Sequence, residues 1–156
     1  LDKGLDNKPD DPVKVIIYPV YLDGNDGLLN LPLYDAITGC HFGLFPSYYE
    51  PWGYTPLETM ALGVSALTSD LTGFGRFIRT KIMSENLGCG VYLLNMMNRK
   101  REDIIQDFYK MLYHYSQLDH AERVENKIMA KHLSLLADWK HFVKNYLRAY
   151  DLAFAK

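Results

Sequence analysis

Three short apolar runs, Phe42-Gly43-Leu44-Phe45, Val64-Ser65-Ala66-Leu67-Thr68 and Val91-Tyr92-Leu93-Leu94, recur along the sequence with helix-length connectors between them. Each run is nearly continuous in apolar character, so neither of its faces is suited to water. Strands of that kind need a layer on both sides, and a helix between successive strands supplies it while making the strands parallel. The expected fold is therefore α/β with a parallel sheet. A further run, Val13-Lys14-Val15-Ile16-Ile17-Tyr18-Pro19, reads as another buried strand following a loose lead-in over residues 1–12 with two prolines and several aspartates. Asp23-Gly24-Asn25-Asp26-Gly27 reads as a loop, and a short helix is expected from Tyr34.

After residue 100 the period changes. Ile104, Ile105, Phe108, Met111, Leu112 and Tyr115 recur at helical spacing, as do Trp139, Phe142, Val143, Tyr146, Leu147 and Tyr150. These aromatic stripes read as packing surfaces, and the polar segment from Gln117 to Lys131 as a solvent-exposed helix between them. The organisation expected is thus a lead-in (1–12), a sheet-bearing part (13–100) and carboxy-terminal helices of the same domain (101–156). A chain of 156 residues suits one domain. A net charge of −2 with both signs interspersed gives no field to draw the chain onto nucleic acid or an anionic membrane. No apolar run approaches the roughly 20 residues that span a bilayer, and the start is polar rather than signal-like. A cytoplasmic setting is expected, with Cys40 and Cys89 as reduced thiols because they fit no metal or disulfide spacing.

The segment that carries chemistry is Pro46-Ser47-Tyr48-Tyr49-Glu50-Pro51-Trp52-Gly53-Tyr54-Thr55-Pro56-Leu57-Glu58, between a strand and a helix. In a parallel sheet ligands collect beyond the carboxyl ends of the strands, where a helix start offers unpaired N–H groups to an anion. Thr55 suits an N-cap, Pro56 the first helical position, and Gly53 a close ligand approach. Thr55 and Glu58 also have the spacing of a capping box. Glu50 has no capping duty; beside a phosphate its carboxylate serves sugar hydroxyls, which points to a sugar nucleotide. Trp52 either lines the sugar pocket or packs the turn. His41, at a strand edge, is a structural residue or a catalytic one. No acidic cluster has a metal-ligand pattern, so neither a metal nor a cofactor is expected. From Val15 to Gly75 there is no lysine or arginine, and a helix start contributes only about 0.3–1 kcal/mol to a nearby anion, so cationic help for a diphosphate must come from elsewhere.

The run from Gly39-Cys40-His41 through Glu50-Pro51-Trp52-Gly53-Tyr54-Thr55-Pro56 resembles the signature of the animal and fungal type of glycogen synthase, which some bacteria also carry. Thr72-Gly73-Phe74-Gly75 is similar to that family's next loop, and Leu135-Leu136-Ala137-Asp138-Trp139-Lys140 to its penultimate helical landmark, so the resemblance covers nearly all of residues 13–156. It implies the carboxy-terminal, Rossmann-like half of a GT-B-type glycosyltransferase. The activity implied is retaining transfer of glucose from UDP-glucose or ADP-glucose to the 4-hydroxyl end of an α-1,4-glucan. By the same resemblance Glu50 contacts the transferring glucose and is the catalytic acid of the pair, and Glu58 contacts the ribose. The helix start around Gly53, Tyr54 and Thr55 faces the diphosphate of the donor, with Trp52 counted among the donor-binding residues. Tyr34 resembles the tyrosine that stacks on the base, one residue nearer the Gly-Cys-His run than the family pattern has it. The family's phosphate-binding arginine and lysine, and its acceptor-side residues, precede the part seen here. The implied partners are therefore a donor, a glucan and the missing amino-terminal domain, and the fragment alone is expected to bind without turnover. A second reading is a non-catalytic sugar-nucleotide or glucan-binding module with structural acids.

Animal and fungal members resemble one another in an arginine-crowded helix before the Leu-Leu-x-Asp-Trp landmark that binds glucose 6-phosphate. Phosphate favours clustered guanidinium groups for their bidentate forks. Here His120 to His132 holds one arginine, two lysines and two glutamates, with Arg123, Lys127 and Lys131 four apart. The full-length enzyme is therefore expected to keep nearly unchanged activity at millimolar glucose 6-phosphate. Strong activation that an Arg123→Ala, Lys127→Ala double substitution removes would contradict this.

Overall fold

Ser65–Ser69 is the element around which the main unit is arranged, and all five of its residues are buried. The computed structural model describes residues 6–85 and 90–155, the side chains at 84 and 85 excepted. Cys89 and the start of the lead-in lie outside the described residues. Two compact units are distinguished, Leu1–Ala36 and Ile37–Lys156.

In the first unit the strand expected over Val13–Pro19 does not form; Ile16 and Ile17 are 86% and 83% exposed. An apolar run becomes a strand only when neighbours satisfy its backbone, and no ladder partner flanks this one among the described residues. The loop after it is ordered by Asp26, whose Oδ1 accepts from the N–H groups of Leu28 (2.8 Å) and Leu29 (3.0 Å) and from the Tyr18 hydroxyl. Those bonds hold the Asp26 carboxyl below its usual range, the Tyr18 hydroxyl contributing most. The short helix expected from Tyr34 is α1, Leu33–Thr38.

In the second unit β1 (Phe42–Leu44), β2 (Ser65–Ser69) and β3 (Val91–Leu94) form a parallel sheet in the order β1-β2-β3. Helix α2 (Tyr54–Ala61) connects β1 to β2 and α3 (Gly73–Glu85) follows β2. Both faces are covered, as the apolar runs demanded. Ala66 packs with Met60, Phe74, Ile78, Val91, Ala130 and Leu133 on one side, while Leu67 packs with Leu94, Met96 and Ile104 on the other. Adjacent residues of a strand point to opposite faces, so one central strand serves two cores.

Helix α4 (Arg101–Gln117) buries Ile104 and Tyr115 as its periodicity predicts. Tyr115 stacks on Phe42 with centroids 4.2 Å apart and donates its hydroxyl to the His41 carbonyl at 2.6 Å. Helix α5 (His120–Ser134) is not the solvent-exposed connector expected over Gln117–Lys131. Asn126, Ala130 and Leu133, at spacings of four and three, form a buried face. The asparagine that made this segment look polar accepts from the Gly90 N–H and the Tyr92 hydroxyl, each at 3.1 Å, and donates to the Glu122 carbonyl at 2.9 Å. A buried amide so satisfied belongs to a core. After a 3-10 turn, Asp138 caps α6 (Trp139–Phe154) by accepting from the Lys140 N–H at 2.8 Å, which lowers its carboxyl pKa. Of the stripe expected to pack along α6, Phe142 and Val143 are half-buried and Trp139, Tyr146, Leu147 and Tyr150 are exposed.

The packing of α5 is testable by urea unfolding. Leu133→Ala is expected to cost about 2–5 kcal/mol, whereas Ile128→Ala, on the exposed face, stays within about 0.5 kcal/mol. Equal, small effects would return α5 to the surface.

Candidate functional site

The site is built where the carboxyl ends of β1 and β2 meet. After β1 the chain runs through Pro46–Gly53 into α2, and after β2 it turns through Asp70–Thr72 into α3. Glu50 and Thr72 pair in an isolated parallel bridge. The Gly73 N–H donates to the Glu50 carbonyl at 3.1 Å, the Phe74 N–H donates to the Trp52 carbonyl at 2.7 Å, and the Ser69 hydroxyl donates to the Ser47 carbonyl. This approach accounts for Gly73, while Gly75 answers to the chain's own turn out of β2. A Cβ on Gly73 would sit 2.1 Å from the Pro51 oxygen, and one on Gly75 would sit 1.9 Å from the Ser69 oxygen. Thr72 also accepts from the Gly75 N–H at 2.9 Å, fixing the start of α3.

The turn so held presents Glu50 outside any strand. Its residue is half-buried, as is Glu58 one turn into α2, and among the described residues neither carboxylate has a hydrogen-bond or ion-pair partner. Trp52 packs the turn: its ring lies 5.5 Å from Phe77, 5.5 Å from Phe142 and 5.8 Å from Phe74, centroid to centroid. Gly53 then reverses the chain with φ 118° and ψ 74°, a conformation that side chains resist, and a Cβ there would stand 3.5 Å from Glu50 Oε2.

The helix start differs from the sequence reading. Gly53 is the N-cap of α2, Thr55 and Pro56 are its second and third residues, and no side chain caps it. The expected capping box between Thr55 and Glu58 is therefore absent. With the cap at Gly53, the third position falls on proline, which has no N–H for a side chain to bind. The N–H groups of Gly53, Tyr54 and Thr55 find no protein acceptor among the described residues. Three donors and two carboxylates thus stand unpartnered on one short stretch. Glu58 is freed from the duty that competed with a ligand role.

The first cations after the cation-free stretch are engaged elsewhere. Arg76 Nε donates to the Asp70 carbonyl at 3.2 Å, and Arg79 bonds Asn95 while lying 3.9 Å from the Asp70 carboxylate. Asp70 itself is 5% exposed and accepts from the Met96 N–H at 2.7 Å, tying the ends of β2 and β3 together. Tyr34 lies on α1 in the first unit and is half-exposed. His41 is exposed, and its carbonyl rather than its ring takes the bond from Tyr115. The sequence reading missed Thr72 and Phe142 as supports of the Glu50 turn; the small-residue spacing of 72–75 was the available signal for the first, while nothing in the sequence linked Phe142 to Trp52. Among the described residues no three His, Cys, Asp or Glu side chains gather into a metal-holding group, and no helix is long and apolar enough to cross a membrane.

The sequence model of the glycogen synthase family matches residues 2–156. The chain belongs to that family. It is 34% identical over 153 residues to the liver glycogen [starch] synthase of Homo sapiens, covering 98% of this chain and 22% of that protein. Against glycogen [starch] synthase isoform 2 of Saccharomyces cerevisiae the identity is 32% over 153 residues, covering 97% and 22%. For the Caenorhabditis elegans glycogen [starch] synthase it is 34% over 137 residues, covering 88% and 20%. The chain thus spans about a fifth of the length of these glycogen synthases.

Because Gly73 leaves no room for a Cβ, Gly73→Ala is expected to separate the two loops and lower the thermal midpoint by several degrees, equivalent to about 1–3 kcal/mol. Gly73 is not among the glycines at positive φ, so the loss expected is that of the steric contact and not of backbone strain. A midpoint for Gly73→Ala equal to that of the parent would contradict the zipped geometry.

Proposed function

We propose that this chain is the donor-side part of a glycogen synthase that transfers glucose, with retention, from UDP-glucose or ADP-glucose to the 4-hydroxyl end of an α-1,4-glucan in the cytoplasm. The observation that carries the reading is the Glu50 carboxylate, unpartnered among the described residues, in a turn held by bonds other than its own and beside a helix start with three N–H groups that have no protein acceptor there. An anion at that start gains from N–H donors and the helix dipole together. A carboxylate whose position does not depend on its own hydrogen bonds remains available to a sugar hydroxyl or to developing positive charge at the anomeric carbon. Glu58, half-buried and without a capping partner, is available to the ribose. Trp52 serves by holding the turn against three phenylalanine rings. Tyr34 is assigned to the base on the family resemblance.

The stretch from Val15 to Gly75 supplies no cation, and Arg76 and Arg79 are committed to Asp70 and Asn95. Charge developing on the leaving diphosphate therefore needs cations from another part of the full-length protein. That favours binding without turnover for the 156-residue chain alone.

In the full-length protein Glu50→Ala is expected to lower glucosyl transfer by about 10²-fold or more with the thermal midpoint unchanged. Near-parental turnover would overturn the assignment. Glu58→Ala is expected to raise the donor dissociation constant while leaving stability within about 0.5 kcal/mol, since it caps nothing. A stability loss of the size of a lost cap, about 1 kcal/mol, would mean that the helix start is closed as the capping pattern suggested.

A further inference from the structure

We infer that Phe142 on α6 is a positioning residue for the Glu50 turn, acting through the Trp52 ring, so that the seating of α6 sets the geometry of the site. The inference rests on the reading of that turn as the donor site of a glucosyltransferase.

Helix α6 makes little contact with the rest of its unit. Of its sixteen residues, Trp139–Phe154, only Phe142 and Val143 are not exposed. Phe142 spends that contact on the ring behind the turn. Its centroid lies 5.5 Å from that of Trp52 with the planes at 90°, and 5.4 Å from that of Phe77 at 61°. Trp52 in turn meets Phe77 at 5.5 Å and Phe74 at 5.8 Å. The four rings thus form one cluster drawn from the turn, α3 and α6. Edge-to-face contacts favour one relative orientation, because the positive edge of one ring meets the negative face of the next. Phe74 and Phe77 support Trp52 from α3, a helix whose start the backbone already joins to the turn. Phe142 is the one ring of the cluster that the sheet and its two loops do not place.

Trp52 is where a shift has most effect. Glu50 is joined to it through Pro51, whose ring restricts the backbone, and the three N–H donors begin with Gly53, the next residue. A Cβ on Gly53 would stand 3.5 Å from Glu50 Oε2, so the carboxylate lies against the helix start. The acid and the donors therefore sit on either side of one residue. The Phe74 N–H fixes the Trp52 carbonyl at 2.7 Å, which leaves the indole to be fixed by rings. Removing Phe142 opens space on one side of that indole, and the lining of a new cavity relaxes part of the way into it. A tilt there moves the Glu50 carboxylate relative to the N–H groups. Sugar and diphosphate belong to one substrate, so transfer depends on that separation, and a misplacement of about 1 Å can cost about 10²-fold.

Steady-state kinetics of the full-length protein, well below its thermal midpoint, test this. Phe142→Ala is expected to lower kcat about tenfold and to raise the donor KM at least about threefold, because both halves of the site lose register. A smaller folded fraction would lower kcat alone. Phe142→Tyr, which keeps the ring, is expected to hold both constants within about twofold of the parent. The decisive comparison is made in a Trp52→Ala background, where Phe142→Ala is expected to add less than about twofold, since the ring it acts through is gone. If Phe142→Ala does not fold, Phe142→Leu takes its place, with a loss of at least about threefold expected in kcat/KM. Parental kcat and KM in the variant that folds would overturn the inference and leave Phe142 as an anchor for α6 alone. Losses that multiply in the double variant would overturn it as well, by showing that Phe142 does not act through Trp52. The donor-site reading fails on a different measurement, near-parental turnover of Glu50→Ala, so the two failures are distinguishable.

Discussion

Two backbone hydrogen bonds, from the Gly73 N–H to the Glu50 carbonyl and from the Phe74 N–H to the Trp52 carbonyl, hold the candidate site together. Each contributes on the order of 1 kcal/mol net, but their geometric effect is larger than that figure suggests. They join the loops leaving the two neighbouring strands β1 and β2, so the position of Glu50 is set by the sheet itself. Trp52 adds a wedge of three ring contacts behind the turn. The carboxylate is thereby placed without using its own oxygens. Structural acids are commonly recognised by the bonds they make, and this one is conspicuous for making none among the described residues.

The sheet was legible because the apolar runs at Phe42, Val64 and Val91 have the composition of strands covered on both faces, and Ala66 and Leu67 confirm it by serving opposite cores. The same logic failed at Val13–Pro19. Apolar content marks a segment that gains from burial, but a strand exists only where neighbours complete its ladder, and Ile16 and Ile17 have none among the described residues. Helix α5 failed in the opposite direction. Polar residues dominate its sequence, yet three small or apolar positions and one satisfied asparagine suffice to bury a face. Average polarity misjudges a helix whose buried stripe is narrow.

The chemistry-bearing stretch was legible as a motif and less so as geometry. Gly53 was read as room for a ligand; the structure adds that it is the cap, with a backbone conformation that starts α2 two residues earlier than Thr55 would. That shift removes the bland explanation of Glu58. It also leaves the N–H groups of Gly53, Tyr54 and Thr55 without a protein acceptor among the described residues. Thr72, Gly73 and Gly75 were legible only as a similar loop, since nothing in a linear sequence shows that a Cβ at Gly73 would strike Pro51.

The central claim is that this helix start receives the diphosphate of a nucleotide sugar while Glu50 faces the sugar. A crystal structure of the full-length protein with UDP-glucose bound tests it directly. Diphosphate oxygens at about 2.7–3.2 Å from one or more of the Gly53, Tyr54 and Thr55 nitrogens, with the Glu50 carboxylate turned to the glucose, is the arrangement the account predicts. A nucleotide seated elsewhere, with that helix start open to water and Glu50 away from the sugar, would contradict it.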